Sequence, residues 1–405
     1  MSAGGPDPTV GWDADPGVAW QEFAPLAGDA TADVCVVGLG GSGLAAIGDL
    51  LDRGLGVIGI DAGRVAAGAA GRNGGFLLGG PAQAVHEFAA TFGADVAVAF
   101  YRETLREIDR LETLLGDDVI LRVGSIRVAG LPGRGDDDDD DHDDDDDDAA
   151  RQRELADCDA QYAFMRAHDL AVERYDGPLG TGLYFPRDAA MNPVRRAMGL
   201  AARYGARARL HEHTPAIAIR PGRVETLNGV IHANSVIVAV DGRLDALLPH
   251  LDGRVRTTRL QMAATAAVDP PGRAVLPCPV YANWGYDYLQ QDTAGRIVAG
   301  GGRDRFVDAE WTADQRPTAP VQAWIDGLIG RVARAALIDA PRVTHRWAAS
   351  VGYTPDSRPL VAEVDRGVVA CGGYCGTGNL VGPIAARTAV ALAIDGAAPP
   401  PYFAT

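Results

Sequence analysis

Six residues, Gly38-Leu39-Gly40-Gly41-Ser42-Gly43, have the composition of a phosphate-binding turn, and an acid, Asp61, stands 18 residues after the last of them. Each position answers a physical need. Gly38 allows a tight turn, Gly40 lets the backbone approach a pyrophosphate with no Cβ between, and Gly43 lets a helix and a strand pack closely. A helix opening at this turn aims its unpaired N–H groups and positive dipole end at the phosphates. Asp61 falls where a second strand delivers a carboxylate to ribose hydroxyls. The chemistry of this set is dinucleotide binding. A lone G-x-G-x-x-G is a weak signal, so the elements around it decide.

Those elements are in place. Val34-Cys35-Val36-Val37 reads as a short buried strand, Leu44, Ile47, Leu50 and Leu51 fall at helical spacing, and Val57-Ile58-Gly59-Ile60 returns as a strand. Beyond Asp61, Gly68-Ala69-Ala70-Gly71-Arg72-Asn73-Gly74-Gly75 has a backbone free to press against something flat, with one guanidinium and one amide. Near the other terminus a second strand, Gly367 to Cys371, runs into Gly372-Gly373-Tyr374-Cys375-Gly376-Thr377-Gly378-Asn379 and then an apolar helix to Ile394. This repeats the pattern of a helix N-terminus aimed at a polarised ligand atom.

The chain has 405 residues and a formal charge of -17. Twelve of those charges lie in one run, Asp136 to Asp148, interrupted only by His142, and without them the charge is -17 + 12 = -5. Such a run repels itself and buries no apolar area, so it predicts a disordered surface loop over 134–150. The acidity argues against a nucleic-acid partner, because phosphate contacts need clustered cations. There is no lysine, so all 37 basic residues are arginine, which excludes any mechanism that uses a lysine. Five unpatterned cysteines and no membrane span or leader point to a reducing, cytoplasmic setting. Calcium or another cation on the acidic run is the functional alternative, but such sites need glycine turns and spaced ligands and not a monotone string, so no metal site is expected.

Residues 1–30 read as an irregular arm. Helical spacing over 82–115 predicts two helices breaking near Gly93, with His86 as either a helix-face residue or a base. Residues 119–128 predict a hairpin turning at Gly124-Ser125, 151–175 a helix, and Asn192-Pro193 the start of another over 194–204. Alternation over 281–290 places Tyr286 and Tyr288 on one face.

The Gly68–Gly75 loop in its G-R-N-G-G form, the second glycine turn and the P-L-x-G-D run before the first strand resemble the flavoprotein family of D-amino acid oxidase, glycine oxidase and sarcosine oxidase, and most of all γ-glutamylputrescine oxidase. The resemblance implies an α/β fold, with a Rossmann-like FAD-binding domain (31–80, 187–250 and 343–405) interleaved with an α+β substrate domain on an antiparallel sheet (81–186 and 251–342). It implies FAD held by Gly38, Gly40, Gly41, Ser42, Gly43, Asp61, Ala62, Gly63, Arg64, Gly71, Arg72, Asn73, Gly74, Gly75, Ala216, Gly373, Gly376, Thr377, Gly378 and Asn379. It also implies oxidation of a substrate C–N bond to an imine, the hydride equivalent passing to flavin N5. Tyr288, Tyr353 and Tyr374 are expected beside the substrate as wall and hydrogen-bond donors.

Three departures narrow that expectation. Val351 stands where glycine oxidase carries a carboxylate-clamping arginine, and such a clamp contributes about 1.5–3 kcal/mol per hydrogen bond. An α-amino acid is therefore disfavoured unless another arginine, such as Arg72, replaces it. The same valine occupies the place of sarcosine oxidase's flavin-tethering cysteine, so noncovalent FAD is expected, although Cys371 and Cys375 lie nearby. The oxygen-activating lysine of sarcosine oxidase has no counterpart, which leaves oxygen or another electron acceptor open. The reading is an FAD-dependent oxidoreductase acting on a primary or secondary amine of the γ-glutamylputrescine kind. An amino-acid oxidase or dehydrogenase, or a non-catalytic flavin-binding subunit, are the alternatives.

Overall fold

The computed structural model describes residues 9–14, 22–131 and 144–405. Its first sheet has a parallel centre in which Arg209–His211, Val57–Ile60, Ala30–Val37, Gly229–Val238 and Val368–Gly372 lie side by side in that order. Cys35 pairs with Ile58 on one side and Val236 on the other. Alternate residues feed two cores: Val34 and Val36 face one with Leu44, Ile47 and Leu50, while Cys35 and Val37 face the other with Ile58, Ile60 and Val238. Burial on both faces is why these strands are continuously apolar, and each buried Val or Ile contributes about 1.5–3 kcal/mol.

The helix Gly41–Asp52 covers one face. Its fit depends on Gly43, where a Cβ would lie 1.8 Å from the Gly38 carbonyl oxygen, and on Gly48, where one would lie 2.6 Å from the Tyr204 hydroxyl. Tyr204 belongs to Pro193–Gly205, whose start is fixed by Asn192: its Oδ1 accepts from the N–H groups of Val194 and Arg195 at 2.9 and 3.1 Å, ahead of a first-turn proline.

The second sheet runs Val343–Tyr353, Arg256–Ala267, Arg296–Gly300, Asp287–Gln291, Val280–Ala282, Ser125–Val128, Gly180–Phe185 and Glu173–Gly177. The helix Ala319–Ala335 packs Val321, Ile325, Leu328 and Val332 against Ala263, Leu289, Ile297 and Ala299 of this sheet.

Several expectations need correction. The strand Val343–Tyr353 pairs with Arg256–Ala267 from Arg256↔Tyr353 to Thr265↔Val343, so by hydrogen bonding it joins the second sheet and not the dinucleotide-binding one. The expected 119–128 hairpin is absent: Ile120–Leu121 pairs with Ala189–Met191, and Ser125–Val128 with Gly180–Phe185 and Val280–Ala282. Long-range partners outcompeted the local turn. The helix expected over 151–175 is Asp144–Ala167, followed by the strand Glu173–Gly177. Residues 144–150, expected in the disordered loop over 134–150, are thus helical instead, and 134–143 lie outside the described residues. The break at Gly93 between Val85–Phe92 and Ala94–Leu115 is as expected.

Candidate active site

The carboxyl ends of the parallel strands converge on a cleft of about 830 Å³. This is the edge at which open parallel sheets bind ligands. Gly38, Gly40, Gly41 and Ser42 line it, and the helix they open has Gly40 as its N-cap with no side-chain acceptor for its first N–H groups. Gly43 lies beneath the wall, holding helix to strand.

Asp61 and Ala62 also line the cleft. Asp61 Oδ2 accepts the Leu39 N–H at 2.8 Å and Oδ1 the Gly63 N–H at 2.9 Å, so the carboxylate braces the glycine turn as well as facing the cleft. Burial raises its pKa, and those two N–H groups oppose the rise. Gly63 serves through this bond and is not on the wall. Arg64 is also off the wall; it pairs with Asp13 of the N-terminal arm at 2.5 Å.

Arg72, Asn73 and Gly74 form a second stretch of wall, with Gly71 and Gly75 behind them. Arg72 Nη1 donates to the Ala348 carbonyl at 2.9 Å, while its buried Nε has no partner; burial lowers its pKa. Asn73 is anchored by Nδ2 to the carbonyls of Ala69 and Ala70, and by Trp12 Nε1 to its own carbonyl at 2.8 Å.

The C-terminal turn supplies Tyr374, Gly376, Thr377, Gly378 and Asn379. Gly373, off the wall, donates its N–H to Asp241 Oδ1 at 2.9 Å, and Oδ2 of that carboxylate accepts from Gly352 at 3.0 Å. Asp241, at φ 46°, thus ties the end of Gly229–Val238 to two other segments. Ala216 lines the cleft at the start of Ala216–Arg220.

Of the tyrosines, Tyr288 lies against Gly74, where a Cβ would approach its ring to 3.2 Å, and Tyr353 stands beside Gly376. Burial pushes both phenols above their ordinary pKa, so neither is a base near neutrality. Tyr374 is only 3% exposed, its ring packed toward Gly378 and Gly382, which is core packing more than an open wall. His86 is not on the wall; its Nε2 lies 3.1 Å from Asp157 Oδ1, and Asp157 in turn binds Arg127 at 2.5 Å.

Comparison with known proteins now decides the family. Residues 33–392 match the model described as FAD dependent oxidoreductase, DAO. The chain belongs to that family. A probable oxidoreductase, OrdL, of Rhizobium meliloti (strain 1021) is 26% identical over 94% of this chain and 89% of its own. The gamma-glutamylputrescine oxidoreductase of Escherichia coli (strain K12) is 25% identical over 91% of this chain and 85% of its own. Among solved structures, glycine oxidase from Geobacillus kaustophilus superposes with a TM-score of 0.69 at 19% identity, covering 91% of this chain and 96% of that one. L-proline dehydrogenase from P. horikoshii gives 0.68 at 16% identity, over 93% and 96%. These two structures share the fold. The chain is thus an FAD-dependent amine or amino-acid oxidoreductase with a mixed α/β fold.

The residues present fit FAD. The cleft size suits a large cofactor, and an uncapped helix N-terminus opens onto it. Arg196, which sequence reasoning missed, is 2% exposed and lines the cleft. A Cβ on Gly41 would come within 3.3 Å of its Nη2. Its hydrogen bonds go to neutral oxygens, the Asn379 Oδ1 at 3.1 Å and carbonyl at 2.9 Å, and its Nε is unpartnered. Burial lowers its pKa to about 10, so it remains a cation at neutral pH. A buried cation beside the phosphate-binding turn suits a diphosphate. The signal for it was an arginine one turn into an Asn-Pro-capped helix.

Sequence reasoning also missed a buried cluster on the wall. Arg259 Nη2 donates to Glu310 Oε1 at 2.7 Å, and Gln261 Nε2 reaches both Glu310 oxygens at 3.0 Å. No motif marks these residues, because strand pairing alone brings 259 and 261 toward 310.

Proposed function

We propose that the protein oxidises the C–N bond of a primary or secondary amine, with noncovalently held FAD. The observation that carries the choice of amine over α-amino acid is Val351 on the cleft wall. An apolar side chain there offers a substrate carboxylate no hydrogen bond, and Arg72 points its Nη1 at the Ala348 carbonyl. The γ-glutamylputrescine-type reading agrees with the 25% identity to the Escherichia coli enzyme. Noncovalent attachment is supported by the thiols: Cys371 is fully buried with a pKa pushed up to about 12, and burial raises that of Cys375. Neither is a ready thiolate.

Bound FAD supplies the two-electron acceptor. Gly38 to Ser42, Asp61 and Arg196 would hold its adenosine and diphosphate, and Arg72 to Gly74 with Gly376 to Asn379 its ring. Tyr288 and Tyr353 orient the substrate carbon and exclude water. As neutral phenols they hold a proton rather than remove one, so the amine enters already deprotonated.

Anaerobic mixing of the yellow protein with panels of amines and amino acids tests this. Amines should bleach the flavin band. Bleaching by α-amino acids alone would overturn the amine reading, and a colourless protein that takes up no FAD would overturn the cofactor assignment. Flavin that remains with acid-precipitated protein would overturn noncovalent attachment.

A further inference from the structure

Arg303 lies on the cleft wall at the end of the Arg296–Gly300 strand, in unusual company. Its guanidinium carbon sits 4.0 Å from the centroid of the Tyr353 ring, 5.1 Å from that of Trp311 and 6.0 Å from that of Tyr286. Trp311 and Tyr353 meet edge to face at 6.1 Å and 89°, making two walls of a corner. Among the described residues no carboxylate lies within ion-pair distance of Arg303, and its buried Nε has no hydrogen-bond partner. Arg256, exposed, shares Trp311 at 4.1 Å and has no carboxylate within ion-pair distance among the described residues either. In a chain with 54 acidic residues against 37 basic ones, an unpaired cation facing a cleft needs a reason.

Aromatic rings hold a guanidinium by its flat face and leave its N–H edge free. That edge matches the two oxygens of a carboxylate. Of the other five cleft arginines four are otherwise engaged, Arg259 by Glu310, Arg127 by Gln161 and Asp157, Arg196 by Asn379 and Arg72 by Ala348, while the fifth, Arg243, is exposed in the turn Asp241–Arg243 that follows the Gly229–Val238 strand. Val351 and Tyr353 are two apart on one strand, so their side chains share a face. The cation is therefore displaced from the Val351 position toward the Tyr353 end of the cleft.

We propose that Arg303, presented by Tyr286, Trp311 and Tyr353, binds a carboxylate of the substrate that is not on the oxidised carbon. The substrate class is then an amine with a remote carboxylate. This rests on the amine reading above for the reacting group, but the carboxylate site itself is testable without turnover.

The test uses the FAD-loaded protein and glutarate as a non-oxidisable probe, titrated calorimetrically and by its perturbation of the flavin spectrum. Wild type should bind it, Arg303→Met should lose about tenfold or more in affinity, and Arg303→Lys should retain part of it. In turnover, 5-aminopentanoate should be preferred over n-pentylamine by a similar factor in kcat/KM, and Arg303→Met should erase the preference by raising KM for the acid alone. Equal glutarate affinity in wild type and Arg303→Met, or no binding by wild type, would overturn the proposal and show that the cation is satisfied by its rings. Arg303-dependent glutarate binding in a protein that no amine bleaches would keep the carboxylate site and discard the amine oxidation. Matched flavin content and circular dichroism of the Lys and Met variants separate a binding defect from misfolding.

Discussion

Asn379 Nδ2 donates to Asn73 Oδ1 at 3.0 Å, a bond between two glycine-rich turns 306 residues apart. The same amide nitrogen reaches the Phe76 carbonyl at 2.8 Å, and Asn379 Oδ1 receives Arg196 Nη1. One side chain thus fixes both stretches of wall expected at the flavin ring and steers the cation expected at the diphosphate. Asn379→Ala removes three hydrogen bonds and leaves Arg196 underpartnered, at a cost of about 1–3 kcal/mol. Urea unfolding should show that loss, and FAD should bind about tenfold more weakly in a fluorescence titration. Unchanged FAD affinity in a destabilised variant would confine Asn379 to a structural role.

Two glycines of the first turn should respond differently to the same substitution. At Gly43 a methyl group would lie 1.8 Å from the Gly38 oxygen, which belongs to backbone and cannot swing aside. Gly43→Ala should therefore cost several kcal/mol through displaced packing and give little soluble, folded protein. At Gly40 the nearest atom is Ala70 Cβ at an ordinary 3.5 Å, and the position faces the cleft. Gly40→Ala should fold with a near-wild-type melting temperature and yet retain little FAD. A Gly40→Ala protein that stays fully yellow would mean the backbone does not approach the cofactor there.

The difference between these two glycines was legible in the sequence, because a turn between a buried strand and a helix assigns each position a separate steric task. The C-terminal turn was legible for the same reason. Arg196 and Arg303 were not, since their importance comes from what surrounds them: a neutral carboxamide, and three rings drawn from separate segments. The false 119–128 hairpin marks the same boundary. Local alternation reports that a segment is extended, but its partners were the distant 180–185 and 189–191. Tyr374 shows the limit in reverse, a residue beside a site motif whose ring serves mainly the core.

Asp188 should give the fold a pH dependence. Its Oδ2 accepts the Ser125 hydroxyl at 2.7 Å and its Oδ1 the Gly79 N–H at 2.8 Å, and burial raises its pKa to about 7 against those bonds. Between the unfolded value near 3.9 and about 7, the folded state binds more protons than the unfolded state, so stability falls as pH rises through this window. The contribution is full below pH 4 and lost above 7, and is on the order of a few kcal/mol. Asp188→Asn removes the charge, keeps the Gly79 bond at its amide oxygen, and lets its amide nitrogen donate to the Ser125 hydroxyl oxygen in place of the bond it now accepts. Its melting temperature should decline less than that of wild type from pH 5 to pH 8, and parallel profiles would refute the assignment.

Arg196 offers the sharpest separation between holding a cofactor and holding the fold. A buried guanidinium with no carboxylate in contact is poorly solvated, and a bound diphosphate would relieve that; ligand binding to the folded state then appears as added stability. Wild type should show a large rise in melting temperature on adding FAD to the stripped protein. In Arg196→Met that increment should shrink by more than half, because the charge complement is gone, while Arg196→Lys should fall between. The comparison uses the difference between loaded and stripped protein, so any change in the stability of the stripped form, where Asn379 loses its partner, cancels. An undiminished increment in Arg196→Met would show that this cation serves only to brace the Asn379 turn.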